Sequence, residues 1–237
     1  MSDAFIALLK NKVIFKYFFK NKIFMDEENP EEDRQSPLIY IIAVFLILLL
    51  LLMVFPHYGV KLDPRPIIIP ELKDVLLFDI DLSNETKTLK SRKDFLDFVN
   101  PRDPIVKNTA NKIVTIACGG EKVCHAKAIY YFVRDNFDYV ADPVNFEYVE
   151  KPQDFMISGG GDCESGTLLM ANLMESVGIN SQLVFIPGHA FLRIKLVEAL
   201  DKYKREGWIY LDWTCKDCDF GEIPISNTKA YKSFLEI

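Results

Sequence analysis

The chain has 237 residues, 49% of them apolar, and 28 Lys and Arg against 34 Asp and Glu give a formal charge of −6. That length supports one sizeable core and excludes a multi-domain machine, while 11 Gly, 12 Pro and five Cys exclude collagen-like, low-complexity and disulfide-dense miniprotein classes. Residues 1–36 hold six basic and seven acidic side chains and 37–60 hold none, so 61–237 carry −5; no basic face for nucleic acid is expected.

In chain order, Ala4–Phe24 sets Lys10, Lys12, Lys16, Lys20 and Lys22 among Phe15, Tyr17, Phe18 and Phe19, as an interfacial segment on an anionic leaflet would. The lysines do not share one helical face. Residues 25–36 form an acidic linker. Leu38–Phe55 is apolar throughout, and 18 helical residues rise about 27 Å, close to the roughly 30 Å of a hydrocarbon core. A soluble core helix would keep a polar stripe, and none is present. A cleaved signal peptide would end in a small-x-small site; here Phe55-Pro56-His57-Tyr58 follows instead. A retained transmembrane helix over 37–60 is the expectation, with Pro37 tolerated at its start and Pro56 marking its stop. Five lysines and Arg34 precede it and only Lys61 and Arg65 follow closely, which predicts a cytoplasmic N-terminus and an extracytoplasmic globular domain. The bilayer is thus one expected partner, and Asn84-Glu85-Thr86 offers a glycosylation sequon.

The lead-in, 61–102, contains Ile67–Ile69 and Val75–Phe78, which read as short strands or packed segments, and Ser91–Val99, which reads as helical. From 103 onward the signals sharpen. Asp103 caps a helix opened by Pro104, with Val106, Ala110, Val114 and Ala117 on one face and Gly119-Gly120 as its stop. A second helix runs from Glu121 to Asn136, with Val123, Ala126, Tyr130, Val133 and Phe137 inward. An irregular stretch from Asp142 to Ser158 leads into Gly159-Gly160-Gly161. Asp162 then caps a helix with a stripe of Leu169, Leu173 and Val177, closed by Gly178. Strands are expected at Gln182–Ile186, His189–Leu196 and Trp208–Asp212.

This order places Cys163 in the first turn of a helix, where unpaired N–H groups and the dipole favour a thiolate. His189 heads one strand and Asp212 ends another. If those strands pair antiparallel with His189 opposite Asp212, Arg193 faces Trp208 and both functional side chains share a face. A thiol, a base and an orienting acid are what a cysteine hydrolase or acyltransferase requires. Against the thiolate, Asp162 and Glu164 flank Cys163 and disfavour its charge unless a protonated His189 is close.

Gly161-Asp162-Cys163-Glu164, Gly188-His189-Ala190 and Gly207-Trp208-Ile209-Tyr210-Leu211-Asp212-Trp213-Thr214, preceded by the Tyr130–Tyr139 block, resemble the transglutaminase-like superfamily of papain-type cysteine enzymes. The resemblance covers about 103–214. It implies an α+β papain-like core, helices packed on a small antiparallel sheet, over 103–237, behind the N-terminal transmembrane helix. It carries over Cys163 as nucleophile, His189 as base and Asp212 as orienting acid, with a protein or peptide amide as substrate and no cofactor required. Ser165-Gly166 departs from the family's more common Asp-Phe or Asp-Ala continuation. Gln153 is a candidate second oxyanion donor beside the Cys163 N–H.

Four cysteines remain, in two local pairs. Cys118 with Cys124 and Cys215 with Cys218 fit two disulfides in an exported domain. A four-cysteine zinc site is the rival, although the first pair has an unusual spacing for zinc. A redox Cys215/Cys218 pair is a weaker reading because no helix follows it. The competing functions are therefore an anchored cysteine enzyme, an inactive domain of the same fold serving as a scaffold, and a metal or thiol-redox domain. His57 and His125 read as an interface and a helix-surface residue.

Overall fold

The computed structural model describes residues 37–76, 91–143 and 149–237, without the side chains of 54–58, 60 and 61. The expected interfacial segment, the acidic linker, the Leu77-Phe78 end of the second apolar run, the Asn84 sequon and part of the irregular stretch lie outside those residues. The chain divides into two units, 1–53 and 54–237.

Helix α1 covers Pro37–Leu62. Its large apolar side chains from Leu38 to Met53 are exposed all round, none below 43%. Counted over the fully described residues, which in α1 end at Met53, no helix is long and apolar enough to cross a membrane. Pro56 is not a stop: the helix continues six residues beyond it, to Leu62. The proline forfeits one bond to the carbonyl four residues back, and the turns on either side keep theirs.

Directly after α1 comes Asp63, whose carboxylate accepts from Lys127, from Lys202 at 2.9 Å and from the Tyr203 hydroxyl at 2.8 Å. Ile67–Ile69 is not a strand. It is an extended segment tied to helix α3 (Pro104–Ala117) by Ile67 N–H to the Ala117 carbonyl at 2.9 Å. Val75 closes a four-residue helix, α2 (Leu72–Val75), rather than opening a strand. Short apolar runs do not distinguish these outcomes by periodicity. Asn136 pins this lead-in, accepting from Leu72 N–H at 2.9 Å and donating to the Pro70 carbonyl at 3.2 Å. Arg92–Phe98 forms a 3-10 helix capped by Ser91.

Helices α3 and α4 (Lys122–Asn136) form where the caps and apolar spacing place them, and the Asp103 carboxylate accepts from the N–H groups of Ile105 and Val106. The stretch expected to be irregular contains α5 (Pro152–Ser158), begun by a first-turn proline and closed by Gly159 at φ 76°. Strand β1 (Asp138–Tyr139) pairs in parallel with β2 (Gly160–Gly161). A side chain at Gly160 would meet the Asp138 carbonyl oxygen at 2.5 Å, so this short ladder demands glycine.

Helix α6 (Cys163–Ser176) sits at the centre of the unit. The expectation was a single buried stripe; instead Ser165–Met174 is buried on every side, because α3, α4 and α5 pack around one part and strands β3 (Ser181–Ile186) and β4 (His189–Ile194) cover the rest. Burying Leu168, Leu169 and Leu173 contributes about 1.5–3 kcal/mol each. The one amide on this helix, Asn172, is satisfied: it accepts from Asn100 N–H at 2.7 Å and donates to the Phe98 carbonyl at 3.1 Å, stapling the lead-in to the core.

The main sheet runs β5-β4-β3-β6, antiparallel throughout, with β5 at Ile209–Leu211 and β6 at Ser233–Glu236. Leu183, Phe185, Ala190, Leu192, Ile194, Ile209 and Leu211 face α6. Val184, Ile186, Phe191 and Tyr210 point the other way, against Ile223 ahead of helix α7 (Ile225–Lys229). No capping or periodicity signal in the sequence announces helix α7 or strand β6.

Candidate active site

Asp162 caps α6: its carboxylate takes the Ser165 N–H at 2.8 Å, which fixes Cys163 as the first helical residue. Burial pushes the Asp162 carboxyl above its ordinary range, against the hydrogen bonds from Ser165. Trp213 holds the same turn from the other side, its indole N–H 3.3 Å from the Cys163 carbonyl. The ring lies so close to α6 that a side chain at Gly166 would meet Trp213 at 2.2 Å. Glycine at 166 therefore has a local cause: a fully buried tryptophan occupies the space beside it.

His189 heads β4 after a hairpin through Pro187 and Gly188, the latter at φ 70°. The β4–β5 register corrects the expectation. Arg193 pairs with Tyr210 and Leu192 with Leu211, a shift of two residues from Arg193 opposite Trp208. Trp208 instead bridges back to Arg205 in a tight turn, so β5 begins one residue later. A shift of two preserves the face, whereas a shift of one would have reversed it. His189 and Asp212 thus still meet, diagonally, with Nε2 at 2.8 Å from Oδ2.

The Asp212 side chain is fully buried and every oxygen is served. Oδ1 accepts from the Thr214 hydroxyl at 2.7 Å and its N–H at 3.2 Å, and Oδ2 accepts from Asn227 Nδ2 at 3.1 Å besides His189. With Nε2 engaged, the other ring nitrogen is left free toward the cleft that His189 and Cys163 line together. Burial of the imidazole works toward a lower pKa, but Asp212 and Cys163 outweigh it and push His189 up to about 10. At neutral pH the ring is thereby held protonated beside the thiol, the condition that offsets the flanking Asp162 and Glu164.

These residues open on a cleft of about 490 Å³ lined by Cys163, His189, Asp162, Tyr139, Phe185 and Arg92. Cys163 is its partly exposed, unpaired thiol. A larger cleft of about 770 Å³, beside Lys127, Arg134 and Tyr203, contains none of the three. Gln153 lies half-buried on α5 and is not among the residues lining the Cys163 cleft. Tyr139 was missed, as was Asn227. The first is brought in by the parallel pairing of Tyr139 with Gly161, two residues before the thiol.

Cys118 and Cys124 are joined by a disulfide, as are Cys215 and Cys218. Each pair thus closes on itself, and among the described residues no group of three or more His, Cys, Asp or Glu could hold a metal ion. The second pair begins three residues after Asp212, and its Cys218 carbonyl accepts from the Tyr130 hydroxyl at 2.9 Å and from Arg134 at 2.7 Å.

A thiol at a helix start thus shares one cleft with a histidine, and that histidine contacts an acid at the end of the neighbouring antiparallel strand. Residues 107–213, less than half of the chain, match the family model described as the transglutaminase-like superfamily, and that segment has a mixed helix-and-sheet core. Among solved structures, the chain is similar to a candidate cysteine protease from Cytophaga hutchinsonii, with 17% identity and a TM-score of 0.37. That match covers 61% of this chain and 46%, less than half, of that one. It is also similar to LapG of Legionella pneumophila, solved after EGTA treatment, with 16% identity and a TM-score of 0.40 over 64% of this chain and 88% of the other. No curated protein matches the chain.

Proposed function

We propose that this chain is a membrane-anchored cysteine enzyme that cleaves or transfers acyl groups from amide bonds of a protein or peptide. The observation that carries the reading is the 2.8 Å His189–Asp212 contact beside a free Cys163 at the start of α6. The Cys163 thiolate attacks the amide carbonyl carbon, and the oxyanion that forms is met by the Cys163 N–H at the helix start. His189 as imidazolium delivers its proton to the departing amine, leaving an acyl thioester on Sγ. It then accepts a proton from water, for a hydrolase, or from an amine, for a transglutaminase. Asp212 keeps the ring in orientation throughout.

The anchor is α1, whose exposed surface is apolar without a polar stripe and whose apolar sequence runs on to Phe55. The lysine bias ahead of it supports a cytoplasmic N-terminus, and two disulfides support an extracytoplasmic domain. Protease protection in sealed vesicles tests this topology; degradation only after the cytoplasmic side is opened refutes it.

Labelling with a thiol-reactive probe tests the chemistry, comparing the intact chain with Cys163→Ala and His189→Ala. Fast labelling at neutral pH, lost in both variants, is expected. A native Cys163 that never reacts faster than free cysteine would refute the enzyme and favour an inactive scaffold.

A further inference from the structure

The two oxygens of Asp212 are held by different parts of the chain. Oδ1 is served locally, by the N–H and hydroxyl of Thr214. Oδ2, the oxygen that faces His189, has a second donor 15 residues away, Asn227 on α7. The amide can face only one way. Its Oδ1 accepts from the Ser226 hydroxyl at 3.1 Å, and an ionised carboxylate accepts hydrogen bonds without donating any, so the NH₂ group must point to Asp212. The turn that carries it is fixed in three places. Asn227 N–H bonds the Pro224 carbonyl at 3.0 Å, Arg205 donates to Thr228 at 2.8 Å, and Ile223 is buried against Phe191 and Tyr210 on the outer face of the sheet.

We infer that Asn227 is a positioning residue for the Cys163–His189–Asp212 unit: its amide pins Oδ2 so that the carboxylate presents a fixed lone pair to His189 Nε2. The inference rests on the enzymatic reading of that unit. Held at Oδ1 alone, the carboxylate can rock about its Cβ–Cγ bond and the imidazole follows it. A neutral donor suits the task better than a lysine or arginine would. It fixes direction without neutralising the charge that stabilises the imidazolium. His189 and, behind it, Cys163 are the titratable side chains facing the carboxylate; the Tyr130 hydroxyl approaches only the Asp212 main-chain carbonyl, at 3.5 Å, and Arg205 reaches only Thr228.

The test is the rate of Cys163 alkylation by iodoacetamide in the full chain, from about pH 5 to about pH 8, each variant expressed as a ratio to wild type. Asn227→Ala should lower the ratio about tenfold at all pH values, because one charge-assisted hydrogen bond is lost from the orienting group. Asn227→Asp should separate from it. While the added carboxyl keeps a proton it can donate to Oδ2 as the amide does, so the ratio stays near one at about pH 5; it falls to the Ala value by about pH 8, when two adjacent carboxylates repel. A purely structural role would give both variants the same pH-independent ratio, and that result overturns the inference. So does a ratio near one in both. If Asn227→Ala does not fold, the pH dependence of Asn227→Asp decides alone. The two levels are separable: fast wild-type alkylation that is lost in His189→Ala but unchanged in the Asn227 variants ends this inference only, whereas slow wild-type alkylation ends the enzymatic reading and this inference with it.

Discussion

Replacing Asp63 by asparagine should destabilise the second unit in a pH-dependent way that identifies its cause. Lys127 is only 3% exposed, and its ammonium meets Asp63, the Pro64 carbonyl at 3.1 Å and the ring faces of Tyr203 and Phe220 at 4.8 and 5.9 Å. The Lys202 pair with the same carboxylate is 55% exposed on the lysine side and adds little. Burial alone would raise the Asp63 pKa, but hydrogen bonds from Lys127, Lys202 and Tyr203 prevail and hold it at about 2, against an ordinary 3.8. A depressed carboxylate contributes stability that is present above its unfolded value and lost as pH falls through the folded one. Here that is about 2 kcal/mol, disappearing between about pH 4 and about pH 2. Stranding a buried ammonium costs more, about 3–5 kcal/mol. Asp63→Asn should therefore lower the melting temperature at about pH 7 by about 5–15 °C, followed by near-ultraviolet circular dichroism of the full chain in detergent micelles. The gap should narrow by about 2 kcal/mol as pH falls toward about 2, and adding Lys127→Met should recover part of the loss. A variant that matches wild type at neutral pH, or a gap that does not narrow in acid, would refute the reasoning.

Gly166→Ala should cost at least about 1–3 kcal/mol and slow alkylation of Cys163, because the new methyl group must displace Trp213 from the turn it braces; a melt indistinguishable from wild type refutes it. His189, raised from 6.5 to about 10, contributes stability fully present below its unfolded value and lost as pH rises through about 10. The melting temperature should accordingly decline from about pH 7 to about pH 10, and His189→Gln should lack that decline. Non-reduced peptide mapping should return two cross-links, Cys118–Cys124 and Cys215–Cys218, with Cys163 free, and losing the first should cost about 2 kcal/mol by loop closure. Four free thiols holding one zinc ion would overturn both bridges.

What was legible in the sequence is what short-range chemistry writes there. Asp103-Pro104 and Asp162 announce helix starts through side-chain caps that act within three residues, and both helices begin where those signals stand. His189 and Asp212 were brought together on a wrong register, because the two-residue period of a strand tolerates an error of two. Helix α5 carried its own signals, Pro152 at its first position and Gly159 beyond its end, but its seven residues are too few to set up an apolar period. Asn227, Lys127 and β6 carried none. Their roles depend on partners at Asp212, Asp63 and β3, far away in sequence, and a half-exposed Asn in a polar run looks like any turn residue.

The separation of the site's parts along the chain has a consequence for when the thiol becomes dangerous to its surroundings. Cys163 lies on the central helix, but Asp212, which meets His189, and Asn227, which bonds Asp212, come later in the chain. During synthesis the N-terminal part emerges first, so a growing chain carries an ordinary cysteine until strands β3 to β5 have paired and the α7 turn has closed over Oδ2. On the proposed reading, the site is complete only once the segment that carries Asn227 has folded.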